Sequence, residues 1–150
     1  PIRRRIAHMA SATQFTIQVQ DRPGTLGKIC RVLADRGINI LAFQSCPESQ
    51  GRSMVHLVTD NPASTKTVLT VEQLNFTEAE VALVKLPNRV GALAQAASRL
   101  GNADINIEYG YCGVDPSKNT PLLILGVKEV GKAATILEQA AAAIAVGAAT

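Results

Sequence analysis

The sequence predicts an α+β protein of two ferredoxin-like βαββαβ units, each with an antiparallel four-stranded sheet, paired side by side. Three observations favour this fold class. A pattern of residues recurs after 67 positions, for example from Arg22 to Arg89 and from Asn39 to Asn106. Within each copy, stretches with a period of two residues alternate with stretches of helical period. Finally, 150 residues with 47% apolar content are enough for two small folded units.

The repeat sets the predicted domain boundaries. The stretch DRPGTLGKICRVLADRGINI, residues 21–40, aligns without a gap with NRVGALAQAASRLGNADINI, residues 88–107. We therefore predict a first domain over residues 13–78 and a second over residues 79–147. Residues 1–12 contain three consecutive arginines and a His-Met dipeptide, which is typical of a cloning junction. We interpret them as a leader or cloning scar and exclude them from the fold.

The first copy begins with a strand and an amphipathic helix. Residues 14–20 alternate between apolar and polar side chains, which is the period of a half-buried strand. Apolar residues then recur at spacings of three and four, as on one face of a helix, and Gly37 is a helix stop signal. The predicted buried face of this helix consists of Leu26, Ile29, Cys30 and Leu33.

A hairpin and a second helix complete the first copy. Proline and glycine mark a turn between two apolar stretches, which predicts the hairpin. Asn61 is a cap candidate and Pro62 suits the first helical position, so a helix should begin there. The predicted elements are a strand over residues 38–46, a turn over 47–51, a strand over 53–59, a helix from Pro62 to about residue 73, and an extended segment from Phe76.

The second copy follows the same order. Leu93, Ala96, Ala97 and Leu100 form a helix stripe with the spacing of the first copy. The alanine-rich end leaves only a short segment for a last strand. The predicted elements are a strand over residues 81–86, this helix, a strand over 105–112, a turn over 115–117, a strand over 122–127, a helix over 129–142, and a last strand over 144–146.

Charge and cysteine patterns exclude several classes of partner. The formal net charge is +3, but without the three leader arginines the chain has twelve basic and twelve acidic residues, so no nucleic-acid or anionic membrane partner is predicted. No apolar run approaches the ~20 residues that span a bilayer. Cys30, Cys46 and Cys112 form no CxxC pair, so neither a disulfide framework nor a zinc site is predicted. A reducing, cytoplasmic setting fits this cysteine usage.

The loop before the first helix combines groups that suit a zwitterion. Pro23 fixes φ and Gly24 lacks Cβ at the helix entrance. The backbone N–H groups that follow belong to a helix N-terminus, which binds carboxylates. Asp21 offers an acceptor to an ammonium group, and Asn39 offers both a donor and an acceptor. The same residues also suit an ordinary turn, a helix cap and a helix-to-strand turn, so both interpretations stay open.

Residues 21–40 resemble the opening of an ACT domain, a small-molecule-sensing βαββαβ module that is attached to many enzymes of amino-acid metabolism. With both copies, residues 14–147 resemble a free-standing tandem-ACT protein. The resemblance implies an amino-acid ligand bound between paired units. One unit would contribute the loop before its first helix, and its neighbour would contribute the start of its second strand. A homodimer and a regulated enzyme as partner are also implied.

The residues that match this pattern are the implied ligand-binding residues. In the second copy Val90 replaces the usual proline of the loop. The histidine that precedes the loop in serine-sensing members is also missing, with Val19 and Leu86 at those positions. The implied site consists of Asp21, Arg22, Pro23, Gly24, Thr25, Leu26, Asn39 and Ile40 in the first copy, and of Asn88, Arg89, Val90, Gly91, Ala92, Leu93, Asn106 and Ile107 in the second.

These observations predict a non-catalytic sensor without a cofactor or a metal. His56 is the only histidine outside the leader, so no nucleophile–base set is available, and glycine-rich nucleotide loops are absent. One alternative is a regulatory subunit that docks on a biosynthetic enzyme or a transcriptional regulator without a ligand of its own. A second alternative, an enzyme of unknown type, lacks any converging acid–base set.

Overall fold

The computed structural model describes residues 11–116 and 120–147, which divide into two compact units. The first unit is Thr13–Ala79, and the second runs from Glu80 and includes Ser11 and Ala12. Six strands and four helices lie in the described residues. They are β1 (Ser11–Gln20), α1 (Thr25–Ala34), β2 (Ile40–Pro47), β3 (Arg52–Thr59), α2 (Pro62–Val71), β4 (Asn75–Lys85), α3 (Ala92–Asn102), β5 (Tyr109–Asp115), β6 (Thr120–Gly126) and α4 (Val130–Val146).

The first unit is an antiparallel sheet with two helices on one face. Strand β3 lies between β1 and β2, with Leu57 opposite Phe15 on one side and opposite Phe43 on the other. The start of β4 lies beside β1, where the centroid of the Phe76 ring is 6.0 Å from that of the Phe15 ring. The helices α1 and α2 cover the apolar face. The buried core is Phe15, Ile17, Ile29, Leu33, Ile38, Val55, Leu57, Val68 and Leu69.

Local sequence explains where these helices begin and end. The side chain of Asn61 accepts a hydrogen bond of 3.1 Å from the backbone N–H of Ser64, and Pro62 follows it at the first position of α2. After α1, Gly37 adopts φ +69° and the N–H of Ile38 donates to the carbonyl of Leu33 at 3.0 Å. This left-handed residue is the usual glycine-based end of a helix.

The second unit repeats the antiparallel arrangement with β6 between β4 and β5. Opposite Leu123 lie Val84 on one strand and Cys112 on the other. The contacts of α3 and α4 with this sheet bury a second core. It consists of Ala82, Val84, Leu86, Ala92, Ala96, Leu100, Ile105, Leu123, Leu125, Val127, Ala133, Leu137 and Ile144 with Ala140 also buried on α4.

Three predicted elements differ from the structure. The extended segment from Phe76 and the strand predicted over 81–86 are one continuous strand, β4, because no turn-forming residue separates them. The strand predicted over 144–146 is wrong, since these residues continue α4. Ile144 is buried on the same helix as Leu137, and the alanines between them are strong helix formers.

The strand predicted to begin at residue 105 starts instead at Tyr109. Asp104 is left-handed, with φ +59°, and of the described residues 105–108 it is Glu108 whose N–H donates to Gly126 of β6, at 2.9 Å. Part of the turn predicted over 115–117 lies outside the described residues. A four-stranded sheet is not seen in the described part of the second unit, and the side-by-side pairing of units stays a prediction.

Candidate functional site

The two predicted binding loops are type II β-turns with the same backbone geometry. Gly24 has φ 90° and ψ −15°, and Gly91 has φ 84° and ψ −9°, which are the values of the third residue of a type II turn. The carbonyl of Arg22 accepts from Thr25 N–H at 3.3 Å, and that of Arg89 accepts from Ala92 N–H at 3.2 Å. The missing proline at position 90 therefore does not change the turn.

The first turn of α1 presents backbone donors without a cap. The residue before the helix, Gly24, has no side chain to cap it, and the first turn contains no acidic residue. The N–H groups of Leu26 and Gly27 donate to no backbone carbonyl in residues 11–116 and 120–147. These donors and the helix dipole favour a carboxylate at this end.

The side chain of Asp21 does not cap α1. Its backbone N–H donates to the carbonyl of Gly51 at 2.9 Å, while its side chain is exposed. Within the described part of the chain, its carboxylate has no hydrogen bond or ion pair. The carboxylate is therefore available to an ammonium group.

Asn39 is held by its backbone, and its side chain is exposed. Its N–H donates to Oδ1 of Asp60 at 2.9 Å, and its carbonyl accepts from the N–H of Asp60 at 3.0 Å. The helix-to-strand turn thus depends on the side chain of Asp60 and not on the amide of Asn39. An asparagine is consequently not needed to build this turn.

A cleft of about 750 Å³ lies beside the first loop, and we call it the β1–α1 cleft. It is bounded by the end of β1, the first turns of α1 and the connection from α2 to β4. Asn39 does not line it, so the structure does not bring this residue and the loop together within the first unit. The polar residues that line the β1–α1 cleft are Gln18, Gln20, Arg22, Thr25, Lys28, Gln73 and Asn75.

Hydrogen bonds orient several of these side chains. Nδ2 of Asn75 donates to Oε1 of Gln18 at 3.1 Å, and Nε2 of Gln18 donates to Glu48 at 3.4 Å. Arg22 donates from Nη2 to Oε1 of Gln20. The acceptor oxygens of both glutamines are therefore used within the protein.

The second loop has different surroundings. Nη2 of Arg89 donates to the carbonyl of Ile144, so this predicted ligand residue holds the C-terminal end of α4. The loop lines a cavity of about 170 Å³, and Asn106 lines a separate cavity of about 170 Å³ with Asp104 and Glu108. In the described residues, the second loop and Asn106 thus do not share one cavity.

Several predicted site residues are core residues. Ala92 is 5% exposed and belongs to the core of the second unit. Leu26 and Ile40 pack against the first core, and Ile107 packs against the second. Packing against the cores explains why Ile40 recurs as Ile107.

Five polar residues of the cleft were not predicted from the sequence, namely Gln18, Gln20, Lys28, Gln73 and Asn75. The predicted site was based on residues that recur between the two copies, and these five residues do not recur. Their counterparts 67 positions later are Lys85, Pro87, Gln95, Ala140 and Ala142. These residues could therefore have been found only by looking for polar residues of the first copy that are replaced by other residue types in the second.

Other reactive side chains form no catalytic set in the described residues. Burial lowers the pKa of His56, whose Nδ1 is 3.1 Å from Oγ1 of Thr16. Burial raises the pKa of the Cys30 thiol, which favours an inert protonated form. No cluster of three or more His, Cys, Asp or Glu side chains that could hold a metal occurs in residues 11–116 and 120–147. No helix there is long and apolar enough to cross a membrane.

Comparison with known families and structures agrees with this fold. The family model described as the ACT domain matches residues 13–76, which is most of the first unit but less than half of the chain. No curated protein sequence matches the chain significantly. Residues 13–76 are thus the part of the chain that the ACT family model identifies.

Solved structures match over both copies. A protein from Bacteroides thetaiotaomicron has a TM-score of 0.76 at 22% identity, covering 87% of this chain and 88% of that one. The regulatory subunit of aspartate kinase from Thermus thermophilus has a TM-score of 0.60 at 16% identity, covering 89% and 93%. The corresponding subunit from Thermus flavus has a TM-score of 0.55 at 17% identity, covering 89% and 94%. At these identities the similarity shows the fold.

Proposed function

We propose that the protein is a non-catalytic sensor that binds an amino acid at the first loop, residues 21–26, and regulates amino-acid metabolism. The observation that carries this proposal is the uncapped first turn of α1 beside the β1–α1 cleft. It lies in the segment that matches the ACT family model. A ligand with a carboxylate fits these donors.

The free groups of the loop suit the two charges of an amino acid. The N–H groups of Leu26 and Gly27 receive the α-carboxylate, and the exposed carboxylate of Asp21 receives the ammonium group. Gly24 allows close approach because no Cβ stands at the turn. Asn39, whose amide is not needed for its own turn, is the proposed contribution of a second copy of the chain to this site.

We also propose that the protein forms a homodimer. Val90 and Leu93, at the second loop, are 104% and 57% exposed. Exposed apolar side chains of this kind favour burial against another chain. Leu93→Asp should therefore shift the protein to monomer in sedimentation velocity, while Arg36→Gln, an exposed substitution elsewhere, should not. An unchanged sedimentation coefficient for Leu93→Asp would exclude this surface from the dimer.

The same surface carries the second candidate function, docking on a regulated enzyme without a ligand of the protein's own. Exposure of Val90 and Leu93 favours it. For a sensor that also docks, regulation requires the ligand to bind one arrangement of the assembly more tightly than another. Docking alone predicts no response of the isolated protein to amino acids.

A thermal-shift screen against the twenty amino acids tests the sensor proposal. A ligand present at about 100 times its Kd adds about 2.7 kcal/mol to the free energy of unfolding. Asn39→Ala should weaken the response and keep the melting temperature of the free protein, because the amide of Asn39 supports no described contact. If no amino acid raises the melting temperature at millimolar concentration, the docking function is preferred.

Asn106→Ala is the matched variant in the second copy. The second loop, residues 88–93, with Asn106 stays a predicted second site. Titration calorimetry gives its occupancy directly, because two sites of equal use would double the stoichiometry per chain. If Asn106→Ala binds one equivalent of ligand fewer per chain than the wild type, the second site is supported. An unchanged isotherm would mean that all of the ligand binds at the first loop.

A further inference from the structure

We infer that the β1–α1 cleft selects an amino acid whose side chain carries a second acidic group, such as aspartate or glutamate. This inference rests on the proposed sensor function and names its ligand class. Its basis is the set of side chains in the β1–α1 cleft, and not the helix end alone. A volume of about 750 Å³ is ample for a ligand of this size.

The charge of the β1–α1 cleft is positive. Arg22 and Lys28 line it, and no aspartate or glutamate does. Neither cation forms an ion pair with any residue in 11–116 and 120–147. Two cations without anionic partners beside one cavity attract a ligand with more negative than positive charge. A neutral zwitterion leaves at least one of them unmatched.

The cleft offers several donors beside the side-chain oxygens of Thr25, Gln73 and Asn75. Oε1 of Gln18 accepts from Asn75, and Oε1 of Gln20 accepts from Arg22, so each of these amide oxygens already has one donor. The ammonium group of Lys28, the other N–H groups of Arg22 and Nε2 of Gln20 remain. Donors of this kind suit a carboxylate, since a carboxylate only accepts.

Gln73 has a backbone conformation that its residue type disfavours. Its φ is +56°, in the left-handed region, where α1 has Gly37 at the corresponding helix end. A left-handed non-glycine residue costs about 1–2 kcal/mol relative to its ordinary conformation. Glycine would relieve this cost, and the glutamine that is present instead lines the cleft. This observation is independent of the charge of the cleft.

The second copy shows that the fold does not require these side chains. The residues of the second copy that correspond to Lys28 and Gln73 are Gln95 and Ala140. Arg89, the counterpart of Arg22, donates instead to the carbonyl of Ile144. Both copies nevertheless form the same type II turn. The cationic cleft is thus a property of the first unit and points to its ligand.

Titration calorimetry with two pairs of isosteric ligands tests the inference. L-Aspartate is compared with L-asparagine, and L-glutamate with L-glutamine, so that only the acidity of the side chain changes. We expect at least one acid to bind about tenfold or more tightly than its amide. This preference should fall several-fold in Lys28→Gln and in Arg22→Gln, and it should persist in Arg36→Gln, an exposed cation outside the cleft.

The outcomes separate this inference from the proposed function. If a neutral amino acid binds tightly and neither aspartate nor glutamate binds more tightly than its amide, the inference is overturned but the proposed sensor function stands. Absence of binding for all twenty amino acids would reject the sensor and the inference together. Should a variant fold poorly by circular dichroism, salt gives a second measure. For the wild-type protein, the affinity for the acid divided by the affinity for its amide should fall between 50 mM and 500 mM NaCl, because salt screens the charges of the cleft. An affinity ratio that does not depend on salt would contradict the inference.

Discussion

The type II turn of the second copy gives a sharp test of the local backbone. Val90 occupies the position that Pro23 occupies in the first copy, and its side chain is 104% exposed. Its N–H donates to no residue in the described part of the chain. Within a single chain, Val90→Pro therefore removes neither packing nor a hydrogen bond, and it restricts only the unfolded chain.

The preceding residue tolerates the new proline, because Arg22 and Arg89 make equivalent backbone hydrogen bonds. The N–H of Arg22 donates to Gln20 at 3.1 Å, and that of Arg89 donates to Pro87 at 2.9 Å. Replacement by proline at a compatible position stabilises by about 0.4–1 kcal/mol. For a chain of this size, that corresponds to a rise of roughly 1–4 °C in Tm, measured by differential scanning calorimetry.

Two further variants bracket this prediction. Pro23→Val should lower Tm by a similar amount. Gly91→Ala should lower the free energy of unfolding by about 1–2 kcal/mol because φ is +84°. This cost comes from the backbone alone, since a Cβ there meets no atom within 4 Å. A lower Tm for Val90→Pro, with Gly91→Ala tolerated, would show that residues 89–92 do not form a type II turn. It would refute the equivalence of the two loops.

Three other outcomes follow from buried or strained side chains. Lys85 pairs with Asp115, which is 1% exposed, so Lys85→Met should cost about 1.5–3 kcal/mol in urea unfolding, the contribution of a hydrogen bond to a charged group. Asp115→Asn should cost less because Lys85 is 28% exposed and can be hydrated, and equal costs would contradict this. Burial lowers the pKa of His56, so the unfolded chain binds a proton more readily, and stability should fall as pH drops below the ordinary value of 6.5. The decrease in Tm from pH 7.5 to 5.5 should be smaller in His56→Gln, and an identical pH profile would exclude His56 as its source. Gln73→Gly should raise the free energy of unfolding by about 1 kcal/mol and weaken ligand binding, and weaker folding would show that φ +56° carries no cost.

The sequence predicted most elements because its signals were local. The alternation over residues 14–20 and the Asn61-Pro62 cap are each decided by neighbouring residues, and β1 and α2 lie there. The predicted last strand failed because Ile144 is β-branched and follows a run of alanines, which gives no stop signal before Gly147. Helical propensity and burial of Ile144 on the stripe of Leu137 decided that segment.

The candidate site was only partly predictable for a related reason. The turn at Pro23-Gly24 is encoded locally, so its geometry was available from the sequence. The cleft joins β1 and α1 to the segment 73–75, which lies about fifty residues later in the chain. Tertiary packing sets such proximity, as it does for the contact of Arg89 with Ile144, and no period or spacing encodes it.

The polar residues of the β1–α1 cleft lie outside both hydrophobic cores, and Gln20, Lys28, Gln73 and Asn75 are exposed. Exposed substitutions of this kind usually change stability by less than about 0.5 kcal/mol. A combinatorial library at Gln20, Lys28 and Asn75 would therefore keep its members folded while altering charge and hydrogen-bond direction in the cleft, whereas Gln73 is left unchanged because its backbone is left-handed. Under the proposed function, the first unit is consequently a scaffold on which amino-acid biosensors of new specificity can be selected.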